Sequence, residues 1–158
     1  MKFSTREDIA APVAEVFAAV SDFESFERAA LRRGAEVSRT DRLSAPGPGM
    51  AWDCAFAFRG KGRRLSAELQ QYDAPESMVV LWSSSGLVGT LVLDLVQLSP
   101  RQTRMMLQLE LKPRTIPARL FVQSLRLAKA SLTKRFKRGV RRFARDLDGR
   151  LSDARHRV

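Results

Sequence analysis

Chemistry has few places to occur in this chain, and the residues that usually carry it are scarce. There is one cysteine, Cys54, and one histidine, His156, which stands in a polar tail. A zinc site needs several His, Cys or carboxylate ligands that converge, so no metal is expected. A Ser–His or Cys–His nucleophile needs a histidine beside the reacting group, and His156 is badly placed for that role. Gly47-Pro48-Gly49 has neither the lysine nor the hydroxyl of a phosphate-cradling loop, and Pro48 removes an amide donor, so the segment reads as a hairpin connection. Cys54 alternates with Trp52, Phe56 and Phe58, the pattern of a buried and inert thiol. No cofactor is expected, and no catalytic residue is assigned.

Glu7 is the one acid/base candidate. If Phe3 and Ile9 face inward, period-2 alternation turns Glu7 inward as well. A carboxylate beside an apolar cavity has a raised pKa, suited to proton transfer or to holding a polar ligand head. The plainer reading of the same residue is that it pairs with an arginine or lies near the wet end of its strand.

The elements that would position these residues follow from hydrophobic period. Lys2 to Ile9 alternates as a strand. Pro12 opens a helix whose buried side is Val13, Val16, Phe17 and Val20. Ser21 and Glu24 have capping-box spacing for a second short helix, with Phe23 and Phe26 inward and Gly34 near its end. Strands are then predicted at Glu36 to Arg42, Met50 to Phe58, around Leu65, Ala67 and Leu69, at Met78 to Ser83, around Leu91, Leu93 and Leu95, and from Arg104 to Lys112. In the last of these Met105, Leu107, Leu109 and Leu111 alternate with charged and polar residues.

One basic amphipathic helix from about Pro117 to Leu151 closes the chain. Phe121, Leu125, Ala128, Leu132, Phe136, Val140, Phe143, Leu147 and Leu151 form its apolar stripe. Gly139 falls inside that stripe, where close packing against a strand is the favoured explanation and a notch for a ligand the other. From Pro117 onward there are 13 Lys or Arg and 3 Asp, which accounts for +10 of the formal charge of +11. Any electrostatic partner should be met on that helix. A lone helix after a run of antiparallel strands has to lie across the sheet to bury its stripe, and that geometry leaves a cavity. Arg63 and Gln71, which share the parity of Leu65 and Leu69, would stand at its ends, with Trp82 and Tyr72 at its rim.

Ile9, Ala11-Pro12, Val16-Phe17, Ser21-Asp22-Phe23 and the late Thr103-Arg104 strand, in this order of elements, resemble the START-like or SRPBCC superfamily. This is the helix-grip fold of polyketide cyclase/dehydrase and lipid transport proteins. The resemblance spans the whole chain and implies an α+β fold: a seven-stranded antiparallel sheet, with two short helices after strand 1, wrapped around a long C-terminal helix. A chain of 158 residues fits a single domain, residues 1–158, with a basic tail at 152–158. The resemblance also implies a cavity for hydrophobic molecules, and only some members of the superfamily are enzymes.

The expected activity is noncovalent binding of a small hydrophobic or amphipathic molecule, such as a lipid, polyketide or quinone-like compound. Trp52, Phe56, Phe58, Leu69, Leu93, Leu107, Leu109, Leu125, Leu132 and Phe136 would line the pocket. The alternatives are a cyclase or dehydratase using Glu7, and a module that docks to an anionic membrane through Arg138, Arg141, Arg142 and Arg145. No specific nucleic acid partner is expected, because the basic helix has no exposed aromatics for stacking. Met1 to Asp8 lacks the apolar run of a signal peptide, so a cytoplasmic location is expected. Oligomeric state is left open.

Overall fold

A computed structural model describes residues 1–156. Alternating apolar residues produce seven strands: β1 (Lys2–Ile9), β2 (Glu36–Arg39), β3 (Ala51–Phe58), β4 (Lys61–Asp73), β5 (Ser77–Ser84), β6 (Leu87–Ser99) and β7 (Gln102–Pro113). They form one antiparallel sheet in the order β1-β7-β6-β5-β4-β3-β2. Strands β2 to β7 are therefore a meander, and β1 returns to pair with β7 at the far edge. Helices α1 (Val13–Val20) and α2 (Phe23–Arg32) carry the chain from one edge of the sheet to the other. Two hairpins turn on residue pairs with positive φ, Arg59-Gly60 and Ser85-Gly86, the two-residue geometry whose twist matches that of the flanking strands.

The cleanest sequence pattern is a strand paired on both sides. β7 pairs with β1 and β6 along nearly its whole length, with Phe3 opposite Leu109 and Leu93 opposite Leu107. Buried Ile9, Val16, Leu69, Met105 and Leu147 form the main core. Thr103, which is fully buried, donates its hydroxyl hydrogen to the carbonyl oxygen of Ala11 at 2.7 Å and ties β7 to the β1–α1 connection. The molecule is an α+β helix-grip fold.

The structure departs from expectation in its boundaries. The closing helix is two: α3 (Ile116–Leu127), capped by the Thr115 hydroxyl, and α4 (Lys129–His156). No proline or glycine sits at the break, where Ala128 ends α3. The cause is tertiary, since α3 packs against β7 and α4 against β1. Most of the expected basic tail is helix, because α4 continues through Ser152 to His156. Arg157 and Val158 lie outside the described residues. The Arg155 guanidinium donates to the Ala10 carbonyl oxygen at 2.6 Å, and the Ala10 amide donates to Asp148 at 2.7 Å, so this end is docked on the β1–α1 connection.

Smaller shifts have local causes. Asp22 rather than Ser21 caps α2, accepting from the Ser25 amide, while the Ser21 hydroxyl donates to the Phe17 carbonyl oxygen at the end of α1. β2 stops at Arg39 because the Asp41 carboxylate takes over: it accepts from the amides of Leu43 and Ala51 and from the Arg39 guanidinium. These bonds, with the Arg39 ion pair foremost, hold the Asp41 carboxyl well below the usual aspartate range. β4 is longer than its apolar core suggested, and a bulge between Leu69 and Gln71 absorbs the added residue.

Candidate ligand-binding site

Instead of one cavity, two open clefts lie between the sheet and the helices. The first, about 460 Å³, sits under α2 and α4. Its floor is Trp52, Cys54, Ala67, Met78, Val80, Leu91, Leu93, Met105 and Leu107, and its helical side is Phe23, Phe26, Glu27, Ala30, Gly139, Val140 and Phe143. Among the described residues Glu27 is the only ionisable acid or base on its walls apart from the Cys54 thiol. One oxygen of that carboxylate is occupied, since the Trp52 indole N–H donates to it at 2.7 Å. Phe26 and Phe143, with ring centroids 5.9 Å apart, frame the opening between the two helices.

The second cleft, about 610 Å³, lies under α3 and the start of α4. Its walls are aromatic, with Phe3, Phe56, Phe58, Trp82, Phe121 and Phe136 joined by Leu109, Leu125 and Leu132. Lys61 and Arg63 from the β3–β4 hairpin stand at its edge beside Ser84 and Ser85. The two clefts adjoin without sharing a lining residue: Leu107 and Leu109 are neighbours on one face of β7, and Phe136 and Gly139 are one turn apart on α4. Trp82 is pinned because it lies over Gly89, where any side chain would collide with its indole.

The ten expected lining residues divide between the clefts. Trp52, Leu93 and Leu107 belong to the first; Phe56, Phe58, Leu109, Leu125, Leu132 and Phe136 belong to the second. Leu69 lines neither, because it is fully buried in the core behind the first cleft. Arg63 and Trp82 do reach the second cleft. Gln71 is exposed, and Tyr72 instead packs edge-on against Phe17 with centroids 5.3 Å apart.

Glu7 is turned toward the helices, as its parity requires, but lines neither cleft. Its carboxylate accepts from the Arg141 guanidinium at 3.3 Å, an ion pair across 134 residues. The arginine pairing holds and the cavity carboxylate does not. Gly139 reverses the other expectation: a Cβ there would meet nothing within 4 Å, so it is no packing contact but an open notch in the rim of the first cleft. Cys54 is half-buried on the first cleft's floor, and burial, with the charges of Asp53 and Glu27 adding, pushes its thiol above the ordinary value. Among the described residues no cluster of three metal-ligating side chains occurs.

Sequence reasoning missed Glu27 and Lys61. Glu27 follows Phe23 by four residues and so shares its helix face, a signal that was readable. Lys61 becomes part of a site only because its hairpin folds back under α3.

A sheet gripping two C-terminal helices around apolar clefts defines a helix-grip protein. The chain belongs to the polyketide cyclase/dehydrase and lipid transport family, whose sequence profile matches residues 1–148. Among solved structures, TTHA0849 from Thermus thermophilus is 19% identical, with 98% of this chain and 99% of that one covered and a TM-score of 0.63. The Zhui aromatase/cyclase from a Streptomyces species is 10% identical over 85% of this chain and 88% of that one, with a TM-score of 0.62. A START superfamily protein from Mycobacterium smegmatis is 14% identical over 85% of this chain and 95% of that one, with a TM-score of 0.56. At these identities the likeness is one of fold. No curated protein matches the chain in sequence. No helix of the described residues is long and apolar enough to cross a membrane.

Proposed function

We propose that the protein binds a small hydrophobic or amphipathic molecule, such as a lipid, polyketide or quinone-like compound, noncovalently between sheet and helices. The observation that carries this is the first cleft: walls of carbon, one carboxylate already engaged by Trp52, and a glycine where a side chain would have room. Burial supplies the affinity. Each large apolar group removed from water contributes about 1.5 to 3 kcal/mol, against about 1 kcal/mol for a hydrogen bond. Trp52, Leu93 and Leu107 contact a ligand in the first cleft, and Phe56, Phe58, Leu109, Leu125, Leu132 and Phe136 contact one in the second. Leu69 supports the floor from behind.

A cyclase or dehydratase working through Glu7 is not adopted, since that carboxylate faces Arg141 outside both clefts. Native mass spectrometry of the purified protein, with extraction of its small molecules, tests the binding reading. An apolar molecule should copurify, and Gly139→Leu, which fills the notch, should lower its occupancy about tenfold. A protein that retains nothing and takes up no apolar probe would overturn the reading.

Delivery of such a ligand has support in the charge of α4. Arg138, Arg142 and Arg145 are exposed on one side of the helix, while Arg141 is partly engaged by Glu7. α3 adds an apolar side that the sequence did not disclose: Ile116, Leu120 and Leu127 are 74%, 61% and 92% exposed. Each cation near an anionic surface is worth about 1 kcal/mol, enough together for weak, reversible docking in the cytoplasm. Changing Arg138, Arg141, Arg142 and Arg145 to Gln should abolish low-salt cosedimentation with anionic vesicles; equal binding would refute the docking role.

A further inference from the structure

We propose that the mouth of the second cleft is an oxyanion subsite, and that its ligand is an amphiphile with a carboxylate or phosphate head on an apolar body. This rests on the ligand-binding reading above and specifies the chemistry of its ligand. The β3–β4 hairpin delivers three cations within five residues: Arg59, Lys61 and Arg63. The Arg63 guanidinium lies 5.5 Å from the Phe58 ring centre and 5.2 Å from that of Phe121. Arg59 lies 5.5 and 5.7 Å from the same two rings. Both arginines are thus held by cation–π attraction over a Phe58–Phe121 pair that itself lines the cleft.

These cations lack a neutralising partner. Among the described residues no carboxylate lines this cleft, and none of Arg59, Lys61 and Arg63 takes part in an ion pair. Arg63 donates its Nε–H to the Phe58 carbonyl oxygen at 3.3 Å, which leaves its terminal nitrogens for another acceptor. Three like charges at one mouth repel each other, so the arrangement gains most from an anion placed among them. Guanidinium groups suit planar oxyanions because two parallel N–H bonds can meet one carboxylate or phosphate. Beneath them the cleft is apolar, which fixes the rest of the ligand. The first cleft has the opposite bias, for its one charge is the Glu27 carboxylate, which repels an anionic head.

Isothermal titration calorimetry with dodecanoate, dodecyl phosphate and dodecanol tests the proposal on the intact protein. The two anions should bind at least about tenfold tighter than the alcohol, and added salt should weaken only the anions. The better of the two identifies the head group. The double variant Arg59→Gln/Arg63→Gln should bring the three ligands within about threefold of one another, while Arg63→Lys, which keeps the charge, retains most of the preference. Both side chains are on an exposed hairpin, so unchanged thermal midpoints will show that the variants fold. A wild type that binds dodecanol as tightly as the anions, or a double variant that keeps the preference, overturns the subsite while leaving apolar binding intact. Binding of none of the three overturns the subsite and the ligand reading together.

Discussion

The cleft beside α2 has walls of carbon with one carboxylate at its edge, whereas the cleft beneath α3 is ringed by phenylalanine and opens under cations. Both are floored by the same strands at the same parity, so alternation alone cannot tell them apart. The difference comes from what caps each end of the sheet. At one end the inward face of α2 contributes Phe23, Phe26 and Glu27; at the other the β3–β4 hairpin contributes Lys61 and Arg63. The core is uneven in the same direction. Ile9, Val16, Leu69, Met105 and Leu147 belong to the larger buried cluster on the side of the first cleft, while Phe3, Leu111, Ala118, Val122 and Leu125 are buried on the side of the second. Buried packing is concentrated at one end, and open aromatic surface at the other.

Truncation on the two sides gives the largest contrast. Leu147→Ala, at 1% exposure in the main core, should cost about 2 to 5 kcal/mol in urea denaturation. Leu132→Ala, half-buried in the wall of the second cleft, should cost about 1 kcal/mol, because much of its surface already faces open space. Equal losses would mean that the two ends are packed alike.

Much of this was legible in the residues. The β7 alternation, the proline-led first helix and the apolar stripe of the last helices each set a period that only one kind of element satisfies. Parity also placed Arg63 on the cavity side, but it placed Gln71 there too, and Gln71 is exposed. The break at Ala128 was not legible, because Leu127-Ala128-Lys129 holds no residue that stops a helix and the cause lies in packing on two different strands. The partition into two clefts was hidden for a similar reason: Leu107 and Leu109 look alike in sequence, and only the helices above them assign each to its cleft. Glu7 shows both outcomes, since its direction followed from parity while its partner, Arg141, lies on the far end of the chain.

Gly139, which lines the first cleft, and Gly89, which lies against Trp82 of the second, should respond in opposite directions. Gly139→Ala places a methyl in open space and improves helix propensity, so it should raise stability by about 1 kcal/mol. Gly89→Ala drives a Cβ into the Trp82 indole and the Glu110 carbonyl, and should cost about 1 to 3 kcal/mol while disturbing the second cleft. Thermal denaturation of the pair checks this. Destabilisation by Gly139→Ala would show that the notch is a packed contact after all.

Acid should loosen the first cleft before the second. Asp41 clamps the end of β2, and Val37 of that strand lines the first cleft. Its carboxyl is held below its ordinary value near 3.8, so the folded chain binds fewer protons than the unfolded chain in this range. The stability it lends is therefore complete above about pH 5 and is lost as pH falls through the ordinary range toward the lowered one. Asp41→Asn should destabilise the protein near neutral pH, with the gap to wild type closing in acid. A gap that is constant with pH would show that the carboxylate's charge contributes nothing.

Cys54 reports on the first cleft alone and gives the finest test of the comparison. Its thiol is raised above its ordinary value of 9.0 by burial first and by the nearby carboxylates second, so little thiolate exists near neutral pH. Alkylation by iodoacetamide should be several-fold slower than for free cysteine there and should accelerate as pH rises toward the raised value. A ligand in the first cleft covers the floor on which Cys54 lies and should slow the reaction further. Dodecanol, which suits either set of apolar walls, should protect the thiol; dodecanoate, drawn to Arg59 and Arg63, should leave the rate nearly unchanged. If dodecanoate protects Cys54 as well as dodecanol does, the anion enters the first cleft despite Glu27, and the two ends do not differ in the ligands they select.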